Sequence, residues 1–510
     1  VHEQEGNALD PFKALQHPRA PSALMHVSGL HEPDSGECFD VAVAGAGVAG
    51  LGCAAALAGV GLRVAVCERA AHAGGRAASW LDEQTGTRVD IGPHVITSEH
   101  RNYLALLQRV GTAQQIVWQP EPLITLLDAD RVLRMRAPAW PTPLHGLANL
   151  RQALCCVSPL DLLSNARVAW AAARLTPPEL RRLDGVDARS YLVSMGVSER
   201  FIQWFWTSAM LALLNVPLAR CSAASVMRVF RLMLGRSGYC FGFPRIALAD
   251  LFVPGCRRMV EQAGGQLRLG EQVCGIAVDQ GRFAGFMLSG GRMLRATAGV
   301  LALPPQALTD LVRNDPAVAA AFAAARPDWF APSPYVSMLL WLDRKVTAER
   351  FWARVHAPQD LNTDFYDLAN IRDDLEGGPS VIASNAIHVP EAHRLDDAHL
   401  VQRTRNELAQ FAPQARQAHV LHARVHRIPM AVPSAAPGNE SLRPPAASSL
   451  PGLFVAGDWT DTGLPFSMES AARSGALAAE AVGNAAGRSL RVALEPPGTT
   501  GLIAWLGKRG

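Results

Sequence analysis

The stretch that decides the fold is Phe39 to Ser79, FDVAVAGAGVAGLGCAAALAGVGLRVAVCERAAHAGGRAAS. Phe39 to Ala44 is an apolar run of strand length, and it leads straight into Gly45-Ala46-Gly47-Val48-Ala49-Gly50. In that spacing the first glycine permits a tight turn, the second lets backbone approach a pyrophosphate, and the third lets the following helix pack on the strand. An Ala/Leu-rich helix then runs to about Gly59, and Leu62 to Cys67 is the next apolar strand, ending at Glu68. Glu68 lies 18 residues after Gly50, where an acidic side chain accepts ribose hydroxyls. Ala/Gly-rich helices produce GxGxxG by chance, but strand, glycines, helix and acid in this order make a dinucleotide cradle, with the phosphates on free amides at a helix N-terminus.

Two further stretches extend the cradle. Gly74-Gly75-Arg76 follows the acid closely, and far downstream Leu453 to Thr460 reads as a short strand ending in Gly457-Asp458. Gly-Gly-Arg at this point resembles the second phosphate contact of the glutathione-reductase-like FAD enzymes, notably their amine oxidase and phytoene desaturase branch. The resemblance implies FAD, a Rossmann-type α/β FAD-binding domain of that class, and an interleaved mixed sheet plus helical substrate domain. It further implies that Arg76 lends a planar cation to the pyrophosphate or the flavin, that Asp458 accepts a ribityl hydroxyl, and that Val273 contacts the adenosine through its backbone. The strand that ends in Gly92-Pro93-His94-Val95 would cross the flavin, and Ser467-Met468 would open a helix facing its N1/O2 edge. The implied cofactor contacts are therefore Gly45, Gly47, Gly50, Glu68, Arg69, Gly74, Gly75, Arg76, Gly92, Pro93, His94, Val95, Val273, Gly457, Asp458, Ser467 and Met468, and no metal.

Composition narrows the function classes. Charged residues are 18% of the 510 and the net charge is +3, which leaves no electrostatic footprint for nucleic acid. Hydrophobic residues make up 49% and mean hydropathy is +0.08, fitting a large core, an apolar substrate tunnel or a membrane-touching face. Nine scattered cysteines without metal-ligand spacing read as reduced thiols in a cytoplasmic protein. All nine precede residue 275, so the flavin-contacting segment near the C-terminus offers no thiol for a covalent link, and the FAD is expected to be non-covalent. Residues 1–38 lack an apolar signal region and are expected to be a mobile tail. Phe201 to Leu214, the most apolar stretch, is shorter than the roughly 20 residues a spanning helix needs.

Taken in order, the chain divides into cofactor-binding segments at 39–111, 244–305 and 453–487, and substrate-domain segments at 112–243 and 306–452, with a C-terminal tail at 488–510. A helix beginning at Ser98 is expected to end at Gly111. Helices are predicted over Asp161–Leu175, Ala188–Met195, Glu199–Leu214 and Ala223–Leu234. Trp204, Phe205, Trp206 and Met210 form a stripe on the third, read as core packing ahead of a substrate channel. Strands are expected at Tyr335–Leu342 and Ser380–Ile387, a helix at Asp396–Phe411, and a Pro/Ser/Ala loop over 431–452. Asp364-Phe365-Tyr366-Asp367 fits no motif.

Within the branch the chain resembles the squalene-associated hydroxysqualene dehydroxylases of hopanoid pathways. That likeness rests on Pro143-Leu144-His145, Phe205-Trp206 with Leu213-Leu214-Asn215, Phe243-Pro244-Arg245, Leu442-Arg443-Pro444-Pro445, and AGDWTDTGLPFSMESAARSG from Ala456. It implies hydride delivery from reduced FAD to an allylic cation, with His94 protonating the departing hydroxyl. Gly-Pro-His, where that group carries Gly-Gln-His, leans toward carotenoid-type desaturases, which run hydride in the other direction. A polyene-cyclising redox flavoenzyme and a flavin-bearing lipid carrier without turnover are the remaining readings. A hydrophobic small-molecule substrate, an external electron donor or acceptor and peripheral contact with the inner face of a membrane are expected in the redox readings.

Overall fold

The computed structural model describes residues 38–119, 121–323 and 326–507; all but one residue of the expected N-terminal tail lies outside them. One seven-stranded mixed sheet has the order Gln266–Leu269, Val64–Glu68, Cys38–Ala44, Met293–Leu301, Arg282–Leu288, Val273–Asp279, with Leu453–Val455 also pairing Met293–Leu301. Its centre is parallel: Val41–Ala44 lie beside Val64–Cys67 on one side and Ala298–Leu301 on the other. Strands buried on both faces carry continuous apolar side chains, as Val41 to Ala44 do. The helices Val48–Ala58 and Met468–Ala485 pack on this sheet. Three segments far apart in the chain thus share one α/β sheet, because parallel neighbours need crossover connections.

A second seven-stranded sheet runs Val420–Pro433, Pro332–Leu342, Val381–Ile387, Asp364–Asp367, Phe351–Arg354, Ile124–Asp128, Arg131–Met135. Side-chain alternation gives it two differently used faces. Phe365, Trp352, Leu340 and Ile382 bury against the helix Asp397–Phe411, whose cap is Asp396. Tyr366, Phe351, Leu339 and Ala383 turn the other way, onto Val89 and Phe243. The helices between residues 144 and 235 form the remaining layer, around a core that includes Trp206, Phe230 and Met210.

Several expectations are corrected. The stretch Asp161–Leu175 is two helices, Pro159–Ser164 and Ala166–Ala173, divided at Asn165, which accepts a hydrogen bond from Trp206 Nε1 at 3.0 Å. Glu199–Leu214 contains a π-helical turn over Ile202–Thr207, where Thr207 Oγ1 donates to Ile202 O at 3.1 Å. The aromatic stripe on it is core: Trp206 is fully buried and packs edge-on against Phe230 at 4.6 Å. The helix expected from Ser98 begins at Arg101, since Ser98 Oγ is occupied by Cys240 N. Residues 431–433, expected as loop, complete the strand Val420–Pro433, whose half-buried faces conceal any alternation. Residues 488–507 hold to the body: Leu494 O accepts from Asn102 and Arg473, and the helix Gly501–Gly507 buries Ile503.

Candidate cofactor and active site

The glycine turn is built by contacts that exclude side chains. Gly45 has φ +102°, and a Cβ there would stand 2.4 Å from Ala302 O. A Cβ on Gly50 would stand 1.9 Å from Gly45 O and 3.0 Å from Ala302 Cβ, so only glycine lets the helix lie this close to the strand. Gly47 differs, because the nearest atom to its virtual Cβ is Gly75 Cα at 4.0 Å. Space is left between the two glycine elements, which are joined by a bridge from Gly47 to Gly74 and by Gly74 N donating to Ala46 O at 2.9 Å. The helix Val48–Ala58 has no side-chain cap and no acid in its first turn, so its N-terminal amides face that space uncompensated.

Glu68 sits at the strand end as expected, its carboxylate fixed by two amides: Oε2 accepts from Ala46 N at 2.9 Å and Oε1 from Ala70 N at 3.0 Å. Each oxygen keeps a lone pair for a ribose hydroxyl. Glu271 N donates to Glu68 O at 2.9 Å, which brings Val273 toward the same end, while Arg69 is exposed beside it.

At the other end, Arg76 and Asp458 meet. Nη2 to Oδ1 is 2.6 Å and Nη1 to Oδ2 is 3.0 Å, a bidentate pair between residues 382 apart in the chain. The sequence reading gave these two side chains separate partners on the cofactor; the fold also gives them each other. Asp458 is buried and Arg76 half-exposed, so the guanidinium keeps a free edge. Ser467 caps the helix Met468–Ala485 by accepting from Ser470 N at 3.2 Å, and Gly457 N donates to Ser474 Oγ at 2.9 Å.

Gly92-Pro93-His94-Val95 runs over the second sheet. A Cβ on Gly92 would meet Ser337 Oγ at 3.2 Å and Asn385 Oδ1 at 3.6 Å. His94 Nδ1 lies 2.9 Å from Gly92 O and must donate to it, which leaves Nε2 as the acceptor of a neutral ring. Burial depresses the His94 pKa, outweighing the hydrogen bond to Gly92 and the nearby Asp90 charge. A neutral imidazole with its proton committed to a carbonyl is poorly suited to protonate a hydroxyl, so the acid role expected of His94 lacks structural support.

Sequence reading missed the element that stitches these parts together. The strand Val420–Pro433 places Arg424 against the buried Asp82, His426 Nδ1 3.2 Å from Ile91 O, and Ala431 O 3.3 Å from Arg76 Nη1. Arg443, from one of the motifs behind the hydroxysqualene likeness, is a buried clamp. It donates to Asp458 O (3.0 Å), Thr460 O (2.8 Å) and Leu464 O (2.6 Å), and to Thr462 Oγ1 (3.0 Å). Glu469 of another such motif accepts from Asn102 N and Tyr103 N, holding the uncapped start of the helix Arg101–Val110. His145 bonds Met233 O at 3.0 Å. These motif residues organise backbone. A surface cavity of about 520 Å³ lined by Val132, Lys345 and Phe411, among others, shares no residue with the site.

The residues present fit an FAD: an open helix N-terminus, a glycine cleft free of Cβ atoms, an oriented carboxylate at one end and an Arg–Asp pair at the other. Residues 48–483 match the family described as flavin containing amine oxidoreductase. The 15-cis-phytoene desaturase of Synechococcus elongatus is 25% identical over 463 residues, covering 87% of this chain and 95% of that one. The chloroplastic/chromoplastic zeta-carotene desaturase of Solanum lycopersicum is 23% identical, covering 93% and 86%. Among solved structures, cyclohexylamine oxidase from Brevibacterium oxydans superposes with a TM-score of 0.64 at 20% identity, over 88% of this chain and all of that one. Putrescine oxidase bound to putrescine gives 0.65 at 16%, over 89% and 100%. These two show the fold alone.

Proposed function

We propose, since the chain belongs to the flavin-containing amine oxidoreductase family, that it dehydrogenates an apolar isoprenoid polyene in the manner of a desaturase. FAD is its cofactor, and the protein is an FAD-dependent oxidoreductase related to the phytoene and zeta-carotene desaturases. Gly45 to Gly50, Glu68, Arg76 and Asp458 would hold the cofactor in the arrangement of the glutathione-reductase-like class. Bound FAD supplies two-electron hydride chemistry. Phe330, Trp459 and Phe466 pack edge-on as buried core beside the Gly457-Asp458 element and give it an apolar support.

The observation that carries the direction of reaction is the matched pair of desaturases, each covered over most of its length. Two residues of the motifs that pointed to hydroxysqualene, Arg443 and Glu469, hold backbone, a task that does not depend on the substrate. The external electron acceptor remains part of the proposal. So does membrane contact: Leu147, Leu160, Leu163 and Trp170 are exposed on helices of the substrate domain, interspersed with exposed Arg151, Arg167 and Arg174, and Trp505 is exposed on the C-terminal helix. Among the described residues no helix is long and apolar enough to cross a membrane.

Anaerobic incubation of the FAD-loaded protein with phytoene and related polyenes tests the reading. Bleaching of the oxidised flavin band together with a product lighter by two hydrogens is expected. Failure of every polyene, with squalene formed from hydroxysqualene by the chemically reduced protein, refutes desaturation and establishes the dehydroxylase.

A further inference from the structure

Asp364-Phe365-Tyr366-Asp367, which fits no sequence motif, is a buried strand of the second sheet, and its register gives it a place. Asp364 pairs with Asn385, Asn385 with Ser337, and Ser337 with His426. Four neighbouring strands therefore set one row of polar residues across the sheet, where successive Cα partners bring side chains to one face. Gly92 lies directly over the middle of the row, on Ser337 Oγ and Asn385 Oδ1, and His426 holds Ile91 O from the row's end. The next row on one side runs through Leu339, Ala383, Tyr366 and Phe351, largely apolar, with Arg424 at its end.

Asp364 is the one carboxylate in the row. Its Oδ1 accepts from Asn385 Nδ2 at 3.1 Å and its Oδ2 from Tyr366 OH at 3.3 Å. The groups acting on it are Tyr366 and Asn385, and its charge in turn bears on Tyr335, two strands away; both hydrogen-bond donors are neutral, and neither supplies a counter-charge. Asn385 Oδ1 is buried without a partner among the described residues, although its amide is bound to Asp364. A buried acceptor left open beside Gly92 points to a group that arrives there from outside the chain.

We propose that Asp364 is the proton acceptor of the reaction, and that Asn385 and Asp364 of this row, with Tyr366 of the next, form the wall of the site opposite the Gly92-Pro93-His94 segment. The inference rests on the dehydrogenation reading given above. One substrate C–H bond breaks with its electron pair, leaving as hydride to the oxidised FAD of the family reaction. The adjacent C–H bond breaks with its proton passing to the Asp364 carboxylate, and its electrons become the new π bond. Burial pushes the Asp364 pKa up to about 7, so near neutral pH the group exchanges protons readily in either direction. His94, neutral and bonded to Gly92, is left to position that turn.

The test combines turnover with a readout independent of it. Infrared difference spectra of the FAD-loaded protein between pH 5 and 9 should show a carboxylic acid band that disappears with a midpoint near 7 and is missing from Asp364→Asn. With a turned-over polyene, Asp364→Asn should lose roughly a hundredfold or more in kcat with FAD content unchanged, and the acidic limb of the pH profile, the fall in rate below about 7, should vanish with it. Tyr366→Phe removes a hydrogen bond that favours the carboxylate, so it should move both the infrared midpoint and the limb to higher pH. An unchanged limb in both variants overturns the proposal. So does a carboxyl midpoint below pH 5, whether or not any polyene reacts; a protein inert to all polyenes but showing the midpoint near 7 refutes the function and leaves the carboxyl assignment standing.

Discussion

Replacing Arg443 by methionine should loosen the cofactor site from a distance. The guanidinium is buried and donates to the carbonyls of Asp458, Thr460 and Leu464 and to the hydroxyls of Thr462 and Ser470. Methionine fills similar volume and donates nothing. Asp458 O keeps Ser470 Oγ at 2.7 Å, and Glu440 keeps Arg228 at 2.7 Å, so the main loss falls on the carbonyls of Thr460 and Leu464. At about 1–3 kcal/mol for each of these two buried acceptors left open, the cost is about 4 kcal/mol in the middle of the range. All of it bears on residues 458–464, the loop that presents Asp458 to Arg76. If FAD binds only the ordered loop, the full cost appears as a weaker complex, a rise in Kd of about a thousandfold. Quenching of flavin fluorescence on titration into apoprotein measures this, with urea unfolding of the apoprotein as the companion measurement. Arg443→Lys keeps the charge without the planar fork and should recover only part of the affinity. A methionine variant with wild-type Kd and wild-type urea midpoint would refute the clamp.

Two other outcomes follow from geometry. Gly50→Val drives a side chain into Gly45 O and Ala302 Cβ, and should abolish FAD retention on gel filtration, whereas Gly61→Ala, with nothing within 4 Å of the new methyl, should retain it despite its φ of +83°; equal retention by both would remove the close-packing account of the glycine motif. Leu160→Asp with Leu163→Asp, on residues 77% and 67% exposed, should leave FAD binding intact and reduce co-sedimentation with anionic phospholipid vesicles severalfold; unchanged sedimentation would exclude this face as the lipid contact.

The cradle was legible because its determinants are local. Gly50 is demanded by a steric contact with Gly45 O within one strand–turn–helix, Gly45 by its positive φ in that turn, and Glu68 by the length of the unit, so spacing alone reports them. The helix Asp397–Phe411, which starts one residue after the expected Asp396, was readable for the same reason. Where one side chain from elsewhere intervened, local reading failed: Asn165 is bound by Trp206, Ser98 by Cys240, and the helices expected there are divided or shortened. The strand Val420–Pro433 has histidines and arginines on both faces, because Asp82, Asp397 and Ile91 O await them on the folded protein.

By itself, then, the sequence determined the α/β dinucleotide cradle, since that depends on steric and periodic rules that act within some tens of residues, while FAD and the interleaving of segments were expected from the family resemblance. Only the tertiary structure decided that Arg76 pairs with Asp458, that Arg443 clamps the loop between them, and that Asp364 stands in one row with Asn385, Ser337 and His426. Register between strands distant in the chain has no local signature: a shift of one residue would turn Asp364 to the helix-covered face and put Phe365 in its place.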